Sequence, residues 1–364
     1  MWFAGNAVIH DIQNSLNLPE SIIGNITSAV QFGFIIGTLV FAIFTLTDRF
    51  SPAKIFLSCS LAGAVTNVGI LFANEIISLL SVRFFTGFFL AGIYPVGMKI
   101  AADYREKGLN TALGWLVGAL VFGTSFPHLL KYFSADIPWK YVVIGTSILT
   151  LIGGLFIGFF VGDGPYRKKS TIPDFKKFLT LFNQPAVRRP AFGYFGHMWE
   201  LYTFWAFIPL ALVYFIKQHH NLNISISFWA FTVIGAGGLG CIASGYIAQR
   251  IGSHKTATYA LSLSGICCLL SPFLFSASPF LFILFLIFWG IVVVADSPQF
   301  SSLVASGAPK ESVGTALTIM NSIGFTITII SIQLLTMYMD AIETRYLFLL
   351  LAPGPLFGVL AMRK

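Results

Sequence analysis

Charge is what this chain lacks: 10% of its 364 residues are Asp, Glu, Lys or Arg, where an ordinary soluble domain carries roughly 25%. With 56% of residues hydrophobic, that shortage excludes a soluble multidomain protein. Cysteine is sparse too. Cys59, Cys241, Cys267 and Cys268 lie within apolar runs without metal-ligand spacing and read as small apolar residues. No Walker phosphate loop, HExxH, GxSxG or HxE with PCxxC is present, so ATP-driven transport and metal-assisted hydrolysis have no support. We expect no cofactor and no metal. The net charge of +8 comes from cations placed mostly between hydrophobic runs, so it reports membrane orientation and implies no nucleic-acid partner.

What the chain has is apolar runs of about 20 residues, the length a helix needs to cross a hydrocarbon core of roughly 30 Å. Eleven full runs are expected, at 21–47, 54–74, 76–102, 109–133, 139–162, 191–216, 225–249, 256–276, 279–306, 313–339 and 344–362. A stub from Met1 to about Ile12 precedes them, too short to cross and without the features of a signal peptide. It is expected to be the outer part of a first helix truncated at its N-terminus, in a protein of twelve helices. If the loop after the second helix is cytoplasmic, that side gains sixteen Lys and Arg, against Lys131, Lys140, Lys217 and Arg345 opposite. The bias places the C-terminus and the central loop in the cytoplasm of a plasma (inner) membrane protein.

The expected organisation is a first six-helix bundle over 1–163, a cytoplasmic linker over 164–189 and a second bundle over 190–364. Within the linker "DFKKFLTLF" alternates basic and apolar residues, which fits either a short helix lying on the inner leaflet or a solvated linker. The halves echo each other. "TALGWLVGALVFG" and "TALTIMNSIGFTI" are offset by 204 residues, and "DRFSPAK" and "QRIGSHK" by 201. Two such units facing each other enclose a cavity near the bilayer midplane.

These loops carry a resemblance to the major facilitator superfamily, which extends along the whole chain. "GYIAQRIGSHK" keeps Gly245, Arg250, Gly252 and Lys255 of the family's loop signature, with Gln249 in the acidic place. "FTLTDRFSPAK" keeps Asp48, Arg49 and Lys54, with Phe44 and Ser51 in place of glycines. The resemblance implies an all-α polytopic fold of two pseudo-symmetric six-helix bundles, whose loops latch the cytoplasmic ends together in one state. A second marker is Arg83 followed by Gly87, which in such families serves proton coupling. The glycine-proline pair that marks antiporters in the fifth helix is missing. Within the superfamily the chain is distantly similar to nitrate/nitrite and cyanate porters, but it lacks arginines within the second and eighth helices.

Ionisable residues in the runs mark candidate sites, because an arginine at the centre of a membrane helix costs roughly 2.5–3.5 kcal/mol. Arg83 faces the central cavity, as substrate contact or coupling element, or has a structural role or snorkels to the outer surface; on a helical wheel Gly87 and Tyr94 share its face. His197 and Glu200, three residues apart on the seventh helix, form the first candidate for a proton site. Asp296 precedes Pro298, with Gln299 on its face, and serves as cavity wall or cytoplasmic latch. Asn6, Gln31 and Asn321 can face the cavity or bond a neighbouring helix. Lys99 and Asp103 read as an interfacial pair, His128 as structural, and the 38 Phe as lipid-facing and packing surface.

The resulting expectation is a secondary active transporter, no enzyme, working as a monomer in the lipid bilayer. It moves a small polar solute, an anion if Arg83 is uncompensated, by alternating access with protons as coupling ion. A drug/metabolite efflux antiporter is the alternative within the fold. A solute sensor and an intramembrane enzyme are the alternatives outside it.

Overall fold

The structure, a computed structural model, describes residues 1–104, 109–133, 138–167, 182–219, 222, 224–309 and 313–363, with the side chains of Asp48, Leu109 and Asn110 outside that description. The basic stretch "DFKKFLTLF" lies almost wholly outside it. Among the described residues every regular element is helical. Eleven helices are long and apolar enough to cross a membrane.

In chain order, α1 is a pair of short helices, Ala4–Ala7 and Ile9–Leu16, ended by Asn17 in the left-handed conformation (φ 52°). Then come α2 (Ile22–Ile43), α3 (Pro52–Phe72), α4 (Ile76–Asp103), α5 (Leu109–Phe133), α6 (Lys140–Phe160) and α7 (Pro185–Gln218). The remaining five are α8 (Ile226–Ile251), α9 (Ser253–Leu274), α10 (Pro279–Gly307), α11 (Val313–Tyr338) and α12 (Thr344–Met362). The loops rich in Lys and Arg all fall at one end of this bundle, here termed the basic end. The other is the far end.

Two spans are broken midway. α4 divides into Ile76–Leu90 and Tyr94–Asp103, and α10 into Pro279–Ala295 and Ser297–Gly307. In each, a proline, Pro95 or Pro298, opens the second piece, where its missing N–H costs nothing, but the carbonyl four residues earlier loses a partner. In α10 that carbonyl belongs to Val294, and the Cys241 thiol donates to it at 3.3 Å. Cys241 is thus a donor as well as a small packing residue. The break in α4 also undoes the expectation that Arg83 and Tyr94 share a helical face.

Pro95 and Pro298 are 203 residues apart, and the same interval recurs in the packing. A Cβ on Gly87 would overlap the carbonyl oxygen of Val30, and one on Gly290 would overlap that of Val233. Likewise Gly37 abuts the carbonyl of Phe88, and Gly240 that of Ile291. Each of these residues of the α2–α4 contact has its counterpart 203 positions later in the α8–α10 contact. Where lipid replaces water, such close backbone approach is a principal source of helix association.

The first six and last six helices meet along two seams. α5 and α8 touch along their whole length: Tyr132 packs on Phe228 at the far end, and Gly118 and Gly238 let the backbones approach in the middle. At the basic end Trp115 lies 3.4 Å from the Tyr246 hydroxyl and Gln249 donates to Thr111. α2 and α11 meet differently. Gln333 donates to Ser28 at 2.9 Å and Asn25 at 3.3 Å near the far end, and Phe34 meets Phe325 in the middle. Beyond that, toward the basic end, these two helices part.

Substituting Gly87 or Gly290 by Ala is expected to lower thermal stability in detergent by several degrees, through overpacking worth ~1–3 kcal/mol. Gly123→Ala, where a Cβ meets nothing within 4 Å, should leave it unchanged or slightly higher. Melting curves of the three variants check this.

Candidate functional site

Where α2 and α11 part, a crevice of about 370 Å³ opens at the basic end, within the usual range for small-molecule sites. Its walls come from both halves: Thr38 of α2, Ala91 and Lys99 of α4, Ser301 of α10, and Thr318 and Asn321 of α11. Hydroxyls and an amide thus stand among mostly apolar side chains such as Phe41, Met98 and Leu317, with one cation, Lys99, whose ammonium is 3.9 Å from Asp103. One helical turn deeper than Thr38 and Asn321 stand Phe34 and Phe325, their rings 4.7 Å apart. The Trp2 ring lies 5.1 Å from Phe34 and 5.4 Å from both Phe325 and Tyr202, closing the crevice with an aromatic plug. Behind the plug a cavity of about 20 Å³ is lined by Tyr94, Tyr194, Tyr202, Trp205 and Ser297 among others, space for about one water.

Arg83 is fully buried but lines neither space. Its guanidinium donates to the carbonyls of Met1, at 3.3 Å, and Trp2, and to Asn67 Oδ1 at 3.3 Å. Asn67 in turn donates to Ser147 Oγ, Thr146 Oγ1 and the Val143 carbonyl of α6. Of the roles open to Arg83 from sequence, this arrangement is the structural one. The arginine ties the start of α1 to α3, and Gly87 serves the α2–α4 contact.

Glu200 and Asp296 of the second half are buried, and the expected His197–Glu200 pair is divided. His197 Nδ1 lies 2.8 Å from Asp296 Oδ1 at the α10 break, at ion-pair distance though misaligned for a hydrogen bond. Glu200 turns instead to α9 and α10. Its Oε1 accepts from Ser264 Oγ at 2.5 Å, Trp289 Nε1 at 2.7 Å and Cys268 Sγ at 3.3 Å. Three donors on one oxygen are what an ionised carboxylate requires where water is excluded. Gln299 donates weakly to Ser244 Oγ at 3.4 Å, while its Oε1 and the His197 Nε2 are buried without a hydrogen-bond partner among the described residues.

With this geometry in place, the comparisons are specific about the fold. The sequence model described as Major Facilitator Superfamily matches residues 1–332. This chain belongs to the major facilitator superfamily. The crystal structure of the human organic anion transporter MFSD10 (TETRAN) superposes with a TM-score of 0.71 over 100% of this chain and 89% of that one, at 15% identity. A niacin transporter, NiaP of Acinetobacter baylyi (strain ATCC 33305 / BD413 / ADP1), is 30% identical over 138 residues, 35% of this chain. Only 28% of that relative's length is covered.

Among the remaining expected residues of this superfamily member, Asn321 lines the crevice and Tyr94 lines the small cavity. Asn6 donates to Thr27 Oγ1 at 2.7 Å inside the first half. Of the loop residues, Arg49, Lys54, Arg250 and Lys255 are exposed, and the side chain of Asp48 lies outside the described residues. Gly252 takes φ 87°, which suits only glycine. Gly245 sits against Gly114 on the α5–α8 seam. Ser51, in a glycine place, caps α3 through the Lys54 N–H at 3.4 Å and donates to Asp163 at 2.7 Å. Gln249, in the acidic place, bonds Thr111 across the halves.

Sequence reading missed the aromatic plug, having assigned the phenylalanines to lipid and packing. One signal could have found it: Trp2 and Trp205 are separated by 203 residues, the interval of the helix contacts. It also missed Ser264, Cys268 and Trp289 around Glu200, which no periodicity announces.

If Arg83 is structural, Arg83→Met and Asn67→Leu should each destabilise the fold by ~2–4 kcal/mol. The double variant should cost less than the two losses added, a coupling readable in a double-mutant cycle of melting temperatures.

Proposed function

We propose that this protein is a secondary active transporter that moves a small polar organic solute across a plasma membrane by alternating access, coupled to protons. The basic end is then cytoplasmic under the positive-inside rule, and the structure is the inward-facing state of a monomer. One observation carries the reading. A crevice between two repeated halves, its mostly apolar walls set with threonine, serine and asparagine side chains and Lys99, is open at one end and sealed at the other by the aromatic plug and the Gln333 contacts. The division into bundles at 1–163 and 190–364, joined by a linker over 164–189, is supported by the 203-residue repeat. The superfamily's role in transport supports a small solute. Arg83, bonded to carbonyls, gives no particular support to an anion.

Coupling falls to the buried carboxylates. Protonating Asp296 would remove the carboxylate charge that faces His197 at the break in α10, and protonating Glu200 would weaken three bonds that tie α7 to α9 and α10. Either change alters packing within the second half and so the balance between inward and outward states. A second reading, efflux of lipophilic compounds, draws on an apolar pocket of about 410 Å³ between α3, α4, α5 and α6, lined by Phe56, Ile93, Tyr94 and Leu116 among others.

The test is flux in proteoliposomes. A pH gradient should drive solute accumulation. Asp296→Asn and Glu200→Gln should abolish gradient-driven accumulation while sparing solute–solute exchange, which needs no net proton movement. Accumulation that ignores the gradient, or that survives both substitutions, contradicts the coupling; flux directed outward under the same gradient selects the efflux reading.

A further inference from the structure

The aromatic plug is more than a seal. Trp205 is 1% exposed, yet its indole N–H has no acceptor, and the N–H of Trp2 is likewise buried and unpaired. A buried unpaired donor costs about as much as a lost hydrogen bond, so two in one cluster require an explanation. The two residues stand 203 positions apart, the interval that also separates Gly87 from Gly290. Trp2 packs on Phe34, Tyr202 and Phe325 at the closed end of the crevice, and Trp205 packs on Tyr202 at 5.2 Å and lines the small cavity behind.

Resting on the transporter reading above, we infer that the solute is a planar aromatic molecule bearing an uncharged hydrogen-bond acceptor, which stacks in the plug and takes the N–H groups of Trp2 and Trp205. Rings of the plug offer π faces and edges to a planar solute. The absence of charge follows from the walls. No ionisable group other than tyrosine lines the small cavity, and the crevice holds only Lys99, in range of Asp103. An anion reaching the plug would be desolvated, and the Arg83 guanidinium beside Trp2 is already engaged with the Met1 and Trp2 carbonyls and Asn67.

Titration of the purified protein in nanodiscs with benzamide, benzoate and cyclohexanecarboxamide tests this. Benzamide should bind. Cyclohexanecarboxamide, with the same acceptor and no π face, should bind about fivefold more weakly, and benzoate more weakly than benzamide at neutral pH. Trp2→Phe and Trp205→Phe, which keep a ring and remove the donor, should each weaken benzamide about five- to tenfold in protein that stays monodisperse. The inference is overturned if cyclohexanecarboxamide binds as tightly as benzamide, if benzoate binds more tightly, or if both variants bind benzamide like the parent. It is also overturned if benzamide does not bind while another solute is transported, a result that leaves the transporter reading intact. Absence of flux for every solute would instead remove that reading.

Discussion

Hydrocarbon returns no hydrogen bond to a polar group placed in it, and the interior of this protein is arranged around that fact. The carbonyl that Pro298 strips of its partner receives the Cys241 thiol. The guanidinium of Arg83 is spent on carbonyls at the start of α1 and on Asn67, and Glu200 gathers three donors on one oxygen. Polar groups satisfied in this way hold helices together. Among the buried polar atoms left without a hydrogen-bond partner are the indole N–H groups of Trp2 and Trp205, the amide oxygen of Gln299, the amide of Gln31 and the Nε of Arg83.

The same constraint gives glycine its weight. Without a hydrophobic drive between helices in lipid, contact depends on how closely backbones approach. The α2–α4 contact through Gly37 and Gly87 is rebuilt as the α8–α10 contact through Gly240 and Gly290. The frame is therefore repeated, while its chemistry is not. By the 203-residue interval Arg83 corresponds to Leu286 and Asp296 to Ile93, so the arginine belongs to the first half and the carboxylate pair to the second. In the transport cycle proposed above, the repeated frame would supply two packings and the unequal charges would give protons a handle on one of them.

Much of the fold was legible in the sequence. Hydropathy placed the spans to within a few residues in most cases because lipid thickness fixes their length, and loop charges marked one end of the bundle. The repeat surfaced in the loops at offsets of 201 and 204, bracketing the interval of the packed helices. α7 begins at Pro185 rather than near 191, since polar residues at its start extend the helix beyond its apolar run. The site was less legible. Periodicity says which residues share a face and nothing about which helix that face meets, so His197 was paired with Glu200, three residues away, instead of Asp296 on another helix. The wheel that joined Arg83 to Tyr94 assumed a continuous α4, which Pro95 interrupts. The plug escaped notice because an aromatic ring at an interface has the same sequence pattern as one facing lipid.

Motion of the halves about the closed plug is the centre of the account, and distances measured at both ends in one experiment address it most directly. Spin labels at Glu20 and Asp340 report the far end, and labels at Thr47 and Ala305, which line the crevice, report the basic end. As proton concentration is raised, the account predicts two populations at each end, with the far-end separation growing in the same fraction of molecules in which the basic-end separation shrinks. Distances that stay fixed, or that lengthen together at both ends, would contradict it.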